Sequence, residues 1–241
     1  HKDFIPWDDD VDLAFKRSDY DKFITLARGE LGSEFEIVLP WEDNKFFDMI
    51  PKINYINSRI RVPGEDEKFY NNKHNRVSLD VFALDDACRG FKFKLQVLRI
   101  KMLYGYAMGH RRTLDMSKYK GFTKLYVALL SRLGRHIPMG KIVEKYRKAS
   151  MWAGGNGESY CIFNERIYFI EPKFKKTWFE QIGEYNIRGK YYSSVKDYDA
   201  LLSQLYGDYM QLPPEDKRKP IHSGELEDIE VYNADGQLIR P

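Results

Sequence analysis

Alternating polar and apolar residues mark the first element of the chain. In Asp10-Val11-Asp12-Leu13 carboxylates and apolar side chains take turns, which is typical of a half-buried β-strand. A strand places both carboxylates on one face, with their Cα atoms roughly 6.5 Å apart. Carboxylates at that spacing can converge on one hard cation, which relieves the repulsion between them. The pattern therefore predicts a strand with a magnesium site.

Two other interpretations of this acidic segment stay open. The spacing partly fits a calcium-binding loop, whose first, third, fifth and twelfth places would fall on Asp8, Asp10, Asp12 and Asp19. The sixth place of such a loop should be Gly for its sharp turn, and here it is Leu13. The second interpretation is a solvated acidic turn before an ordinary strand, which a single Asp-x-Asp pattern does not exclude.

A second strand is predicted over residues 77–84 and carries another carboxylate. Its odd-numbered positions are apolar and share one face, whereas Asp80 points to the other face. If this strand pairs with the acidic strand, Asp80 joins Asp10 and Asp12 at one ion site. The alternative is a solvated carboxylate at the end of a strand.

Helical and extended patterns alternate along the rest of the chain. Ser18 is a candidate N-cap for a helix that ends at Gly32. Further predicted strands cover residues 35–39 and 52–62, the latter as a strand or hairpin, with a loop over 64–75. Predicted helices cover 91–108, 122–133, 141–148 and 197–205. A hairpin is expected over 160–170 with its turn at 164–165, and a frayed polar tail follows residue 220, with a turn at 233–236.

Composition narrows the choice of partners. A net charge of +3 in 241 residues is too small to indicate a nucleic-acid-binding protein. The basic residues concentrate between Arg89 and Lys148, opposed only by Asp115 and Glu144. Such a region suits a phosphate-bearing donor, an anionic glycan or lipid, or a membrane surface, and it suits plain solvated helix faces equally well.

The cysteines and the hydropathy of the sequence indicate in which cellular compartment the protein is expected. Cys88 and Cys161 are far apart and have no metal-ligand spacing, so a reducing compartment is expected. No apolar run approaches membrane-spanning length. These features predict a cytoplasmic protein, or one at the inner face of the membrane.

Three ordered blocks of sequence resemble the LicD family. The first is Ile-Pro-Trp-Asp-Asp-Asp-Val-Asp-Leu at 5–13, followed by Arg17 and Asp-Tyr-Asp-Lys-Phe at 19–23. The second is Leu-Asp-Val-Phe-Ala-Leu-Asp at 79–85. The third is Leu-Tyr-Gly-Asp-Tyr-Met at 205–210 with Pro-Pro-Glu-Asp-Lys-Arg at 213–218. The blocks span most of the chain and keep their order.

The resemblance implies an α/β fold of the nucleotidyltransferase type, with a small mixed sheet flanked by helices. Residues 1–88 would form the catalytic core, 89–220 a helix-rich half packed on it in the same domain, and 221–241 a polar tail. It further implies a phosphotransferase that moves phosphocholine or a phospho-alditol from a CDP-linked donor to a glycan or lipid-linked glycan, as in lipopolysaccharide, teichoic acid or capsule synthesis. Peripheral membrane association is compatible with such an acceptor.

The same resemblance assigns expected roles to individual residues. Magnesium, or manganese in its place, would be held by Asp10, Asp12 and Asp80, with help from Asp8. Asp80 is also the best-placed candidate to accept the proton of the acceptor hydroxyl. Candidate contacts to the donor are Lys52, Arg17, Arg59 and His222. Of these, Arg59 is chosen from local charge, and His222 could equally be an exposed histidine of the tail.

Two further expectations concern the start of the chain and the competing functions. LicD-like chains carry a Gly-Thr or Gly-Ser turn ahead of the acidic strand, and this chain opens at His1 without one, so we read it as N-terminally incomplete. One alternative function is a nucleotidyltransferase that makes a CDP-linked compound from CTP with the same carboxylates. The other is a catalytically silent binding or scaffolding protein of the same fold.

Overall fold

A computed structural model of the chain describes residues 3–7, 10–40, 42, 44–61, 71, 73–218 and 229–239. Within these residues the strands are β1 Asp12–Lys16, β2 Phe35–Val38, β3 Lys52–Tyr55, β4 Ser58–Ile60, β5 Ser78–Asp86, β6 Ser159–Ile162, β7 Phe174–Lys175, β8 Ile182–Ile187, β9 Lys190–Val195, β10 Ile229–Tyr232 and β11 Leu238–Ile239. The helices are α1 Arg17–Glu30, α2 Gly90–Ala107, α3 Gly121–Gly134, α4 Met139–Ser150 and α5 Tyr198–Tyr206, with short 3-10 turns at Met108–His110, Met116–Lys118, Lys176–Phe179 and Glu215–Lys217.

The main sheet is mixed and is built around β5. β1 runs parallel to β5 along one side, in register from Asp12 opposite Asp80 to Lys16 opposite Leu84. The other side of β5 pairs antiparallel with β3 near its start and with β6 near its end. β2 and β7 extend the sheet beyond these two strands. The expected α/β class with a small mixed sheet is confirmed.

Asn164 fills the gap between β3 and β6 along the edge of β5. Its side-chain oxygen accepts a hydrogen bond from Ala83 N at 2.9 Å, and its amide nitrogen donates to Val81 O at 3.0 Å. The side chain thus takes the place of a strand over the two peptide groups that neither neighbour reaches. Because Asn164 is buried, these bonds satisfy backbone groups that would otherwise be costly.

Different elements cover the two faces of the sheet, and on the face that carries Asp80 the even-numbered Leu84 packs against Trp178 and Phe179. On the other face Val81 and Ala83 pack against Tyr20 of α1, together with the half-buried Leu13 and Phe15 of β1. These are the odd-numbered positions of both strands, as the alternation predicts. A larger core lies among α2, α4 and the segment after β6, and its most enclosed members include Ile100, Met139, Ile142, Phe163 and Ile170.

The structure corrects several predicted elements near the start of the chain. Ser18 does not cap α1, because the helix already begins at Arg17 and its N-cap, Lys16, makes no side-chain cap. Residues 52–62 contain two strands that do not form a hairpin, since β3 pairs in the main sheet and β4 pairs with β10. The predicted loop over 64–75 lies mostly outside the described residues.

Further corrections concern the second half. The predicted return strand at 167–170 is a turn, because Ile167 and Ile170 pack into the core and Asn164 occupies the adjacent edge of β5. The predicted frayed tail contributes β10, which pairs with both β4 and β11. The turn at 233–236 is confirmed. The β8–β9 hairpin is a feature that the sequence patterns did not predict.

No helix within the described residues is both long enough and apolar enough to cross a lipid bilayer.

Candidate active site

Three charged residues lie in one row across the main sheet. Asp12 of β1 is opposite Asp80 of β5, and Asp80 is opposite Lys52 of β3. Residues that are direct register partners point to the same face, and neighbouring strands lie about 4.8 Å apart. The residues that follow these three along their strands, Leu13, Val81 and Ile53, pack in the cluster with α1, so the row faces away from that helix. The sheet therefore presents two carboxylates and one ammonium group on its other face.

Lys52 and Asp80 form an ion pair within this row. Lys52 Nζ donates to Asp80 Oδ1 at 2.8 Å, and each side chain keeps 20% of its surface exposed. The pair is therefore accessible to a small anionic or hydroxyl-bearing molecule. Because Lys52 has three donors, it can contact a phosphate oxygen while it remains bonded to Asp80.

The carboxylates of this row fit a magnesium ion in their chemistry. Asp12 and Asp80 supply hard oxygen ligands from adjacent strands, and magnesium is commonly held by one or two carboxylates together with substrate phosphates. Within the part of the chain that the structure describes, no three acidic, His or Cys side chains converge on a common ion position. Asp10 lies just before β1 and is half-buried, and Asp8 is outside the described residues.

Arg17 lies on the opposite face of β5, where it pairs with Asp85. Its Nε donates to Asp85 Oδ1 at 2.7 Å, and a terminal nitrogen donates to Oδ2 at 2.5 Å. The Asp85 side chain is fully buried, and burial raises its pKa while the hydrogen bonds from Arg17 oppose that shift. The guanidinium also lies over the Tyr20 ring. The structure does not bring Arg17 to the carboxylate row, so it does not support the predicted donor contact.

Arg59 is not brought to the row either. Arg59 lies on β4 in the small sheet with β10 and lines a cavity of about 350 Å³ that Arg76 and Asn75 also line. The choice of Arg59 from local charge alone is therefore not supported by its position. His222 lies outside the described residues.

Two acidic residues that the sequence patterns did not single out act on this region. Burial raises the pKa of Glu165, a hydrogen bond and the charge of Arg166 oppose the shift, and the charges of Asp48 and Asp80 add to it. Burial likewise raises the pKa of Asp48, against a hydrogen bond from Met49 and the charges of Arg111, Arg166 and Lys52. Both carboxyl groups therefore share their electrostatic environment with the Lys52–Asp80 pair.

The backbone explains why Glu165 comes close to the row. Asn164 is bonded to β5 at Val81, the residue after Asp80, and Glu165 follows Asn164 directly. Glu165 itself accepts a hydrogen bond from Arg166 N at 2.8 Å. The only local signal was Asn164-Glu165 as a predicted turn, which carries no information about the strand it would meet.

Comparison with known families identifies the class of this domain. Residues 1–88 match the family described as LicD/FKTN/FKRP, nucleotidyltransferase domain. This match contains β1, β3 and β5, and with them the whole charged row. Over these residues the chain is similar to the LicD family.

One curated relative matches over most of the chain. It is the protein named lipopolysaccharide cholinephosphotransferase LicD of Haemophilus influenzae (strain ATCC 51907 / DSM 11121 / KW20 / Rd), 24% identical over 234 residues that cover 93% of this chain and 82% of the relative. The search of solved structures found no significant match.

Proposed function

We propose that this protein is a transferase that moves phosphocholine, or a phospho-alditol, from a CDP-linked donor to a hydroxyl group of a glycan or lipid-linked glycan. The observation that carries the proposal is the row of Asp12, Asp80 and Lys52 on the face of the sheet away from α1, inside the segment that matches the family. The name of the Haemophilus relative supports phosphocholine as the group and an amphiphilic glycan as the acceptor.

The proposed reaction exchanges the phosphoanhydride bond of the donor for a phosphate ester bond to the acceptor. The acceptor oxygen forms a bond to the phosphorus that carries choline or the alditol, the bond from that phosphorus to the bridging oxygen breaks, and CMP leaves. Such a reaction requires positioning and neutralisation of charge more than covalent chemistry from the protein. Lys52 supplies a positive group for a donor phosphate oxygen, and its ion pair with Asp80 fixes its direction.

The proposal includes a divalent cation, magnesium or manganese, which would neutralise charge on the donor pyrophosphate. Asp12 and Asp80 would hold it, with Asp10 next to them. The fit rests on the register of the two strands and on the oxygen donors that they present.

The proton of the acceptor hydroxyl needs a base, and two residues compete for this role. Asp80 is the base that the sequence predicts, but its Oδ1 already accepts from Lys52. Glu165 has a pKa raised mainly by burial, and a raised carboxyl pKa suits proton transfer near neutral pH. We therefore propose Glu165 as the base and Asp80 as a residue that positions Lys52 and the cation.

The proposed acceptor also suggests where in the cell the protein acts. A lipid-linked glycan is presented at a membrane, and we propose that the protein meets it at the inner face by peripheral association. The basic segment between Arg89 and Lys148 supports this, since it suits anionic glycans and lipids.

A panel of nucleotide-linked donors tests the proposal. The purified protein is incubated with CDP-choline, a CDP-alditol or UDP-linked sugars, with and without glycan acceptor, and CMP and pyrophosphate are quantified. We expect magnesium-dependent, acceptor-stimulated CMP release from a CDP-linked donor. Pyrophosphate release from CTP instead would identify a nucleotidyltransferase. No magnesium-dependent turnover or binding of any donor would favour a scaffolding protein.

A further inference from the structure

The second half of the molecule exposes an apolar row on α2. Phe91, Leu95 and Leu98 follow the i, i+4, i+7 spacing of one helix face and are 71%, 38% and 57% exposed. Such a row on a helix ordinarily faces a core. Here the rest of α2 already supplies the core through Val97, Ile100 and other residues, so the row is additional to what folding requires.

The exposed row belongs to a stripe that α3 covers only in part. Continuing from Leu98 by helical steps leads to Gly105, where a Cβ atom would lie only 2.5 Å from Leu130 of α3. The last turns of α2 are therefore in close contact with α3. The first turns of the same stripe extend beyond this contact and are exposed.

α3 carries a second exposed row. Phe122, Leu125, Leu129 and Leu133 share one side of the helix and are 80%, 67%, 56% and 49% exposed. The helix buries only Leu130, Ser131 and Gly134. Two contacting helices thus each expose a continuous apolar row, which exceeds the scattered single residues normal for a protein surface.

Both rows have basic borders. Lys94 lies along one side of the α2 row, followed by Lys101, whose ammonium group is paired with Glu171, and Lys92 and Arg99 lie along the other side, while Arg132 borders the α3 row. Neither helix contains an acidic residue. A two-fold contact between copies of the chain would bring these positive borders together, so charge disfavours self-association.

We propose that the exposed rows of α2 and α3, with their basic borders, bind the surface of an anionic lipid bilayer. An apolar row flanked by Lys and Arg is the arrangement of helices that lie in the plane of a membrane interface. The apolar side chains would enter the boundary between headgroups and acyl chains, and the cations would meet the lipid phosphates. This inference gives the proposed membrane association a surface and does not depend on the transfer chemistry.

Vesicle flotation without nucleotide or glycan tests the apolar part. We expect binding to vesicles of phosphatidylcholine mixed with phosphatidylglycerol. The double variant Phe122→Ser/Leu125→Ser should lose binding by at least about tenfold, because both side chains would leave the bilayer. The matched control is Ile182→Ser/Tyr191→Ser on β8 and β9, whose side chains are 62% and 72% exposed. Circular dichroism and thermal melting confirm that both variants fold.

Charge reversal tests the borders. Lys94→Glu/Arg132→Glu should reduce binding to the mixed vesicles to the level seen on phosphatidylcholine alone, while Lys190→Glu/Lys196→Glu should have little effect. Added salt should weaken wild-type binding, since the contacts are screened over about 8 Å at physiological ionic strength.

Three results would overturn the inference. They are absence of vesicle binding by the wild-type protein, equal losses in the control variants, and equal binding to neutral and anionic vesicles. Analytical ultracentrifugation completes the test. Self-association that Phe122→Ser/Leu125→Ser abolishes, without vesicle binding, would make this face a contact between copies.

Discussion

Two acid–base pairs on β5 show how differently the same chemistry can be used. On the face covered by α1, Asp85 is fully buried and receives both hydrogen bonds of an Arg17 fork. On the other face, Asp80 binds Lys52 through one hydrogen bond and both side chains stay partly exposed. The first pair has no unused acceptor directed to solvent. The second keeps donors and acceptors free for a ligand, so we assign stability to the first and function to the second.

The largest expected effect is on stability and comes from the buried pair. Asp85→Asn removes the buried counter-charge that accepts both hydrogen bonds of Arg17 and leaves this largely buried guanidinium only the more distant Asp21 at 3.7 Å, so it should lower the free energy of unfolding by about 3 kcal/mol. Asp80→Asn should lower the free energy of unfolding by clearly less, because Lys52 can turn to solvent. Urea denaturation of both variants measures the difference, and equal losses would remove the distinction between the two pairs.

The double variant Arg17→Met/Asp85→Leu sharpens this prediction. Replacement of a buried ion pair by apolar residues of similar size is often neutral. We expect it to recover much of the stability that Asp85→Asn loses. A double variant as unstable as Asp85→Asn would show that the ion pair stabilises the fold beyond the neutralisation of its own two charges.

The next largest effect is expected on turnover and concerns the face of the sheet that carries Asp12 and Asp80. Asp12→Asn removes a charge that the proposed cation requires and should reduce kcat by about 10²–10³-fold, the scale of a lost charge-stabilising group. The melting temperature should change little, since Asp12 is exposed. Asp235→Asn, in the turn between β10 and β11, is the control and should keep wild-type turnover.

Glu165→Gln tests the proposed base. A base must be ionised, and because the pKa of Glu165 is raised, wild-type kcat should fall as the pH is lowered through that raised value. The variant should lose about 10²-fold in kcat and should lose this acidic limb of the pH profile. An unchanged profile in the variant would return the role to Asp80.

Lys52→Ala should lower the affinity for the donor more than it lowers kcat. Loss of a hydrogen bond to a charged phosphate costs on the order of 1.5–3 kcal/mol of binding free energy. Calorimetry with CDP-choline and a CDP-alditol should show the same loss for both, because Lys52 is proposed to contact the shared pyrophosphate. A change in preference between the two donors would place Lys52 at the transferred group instead.

The smallest effect is expected at Arg59. Arg59 lies in the small sheet with β10 and not beside Asp80 in the main sheet. Arg59→Ala should therefore change donor affinity by less than about twofold. The same calorimetric titration checks it. A loss as large as that of Lys52→Ala would mean that the donor extends to the small sheet.

Local patterns predicted those parts of the site that depend on strand alternation. The period of two placed Asp12 and Asp80 on the face away from the apolar positions, and the register of β1 and β5 makes them neighbours. Asp85 instead occupies an odd-numbered position on the face that α1 covers, where it is buried and paired with Arg17 of another element. A sequence pattern cannot distinguish a carboxylate at the end of a strand from one enclosed beneath a helix.

Long-range pairing explains the other differences. Asn164 looks like a turn residue, and its role along β5 arises only from the gap between β3 and β6. Residues 229–232 are strand-forming by composition but short and isolated, so only the partner strand β4 reveals them. Glu165 was missed for the same reason, because its proximity to Asp80 comes from the tertiary path of the chain.

CMP release from CDP-choline, measured with magnesium and a glycan acceptor, tests the central claim most directly when three proteins are compared. We predict turnover by the wild-type protein, turnover by the folded Arg17→Met/Asp85→Leu variant, and loss of turnover in Asp12→Asn. Full activity of Asp12→Asn, or of the wild-type protein in excess chelator, would contradict the assignment of function to the face of β5 that carries Asp80.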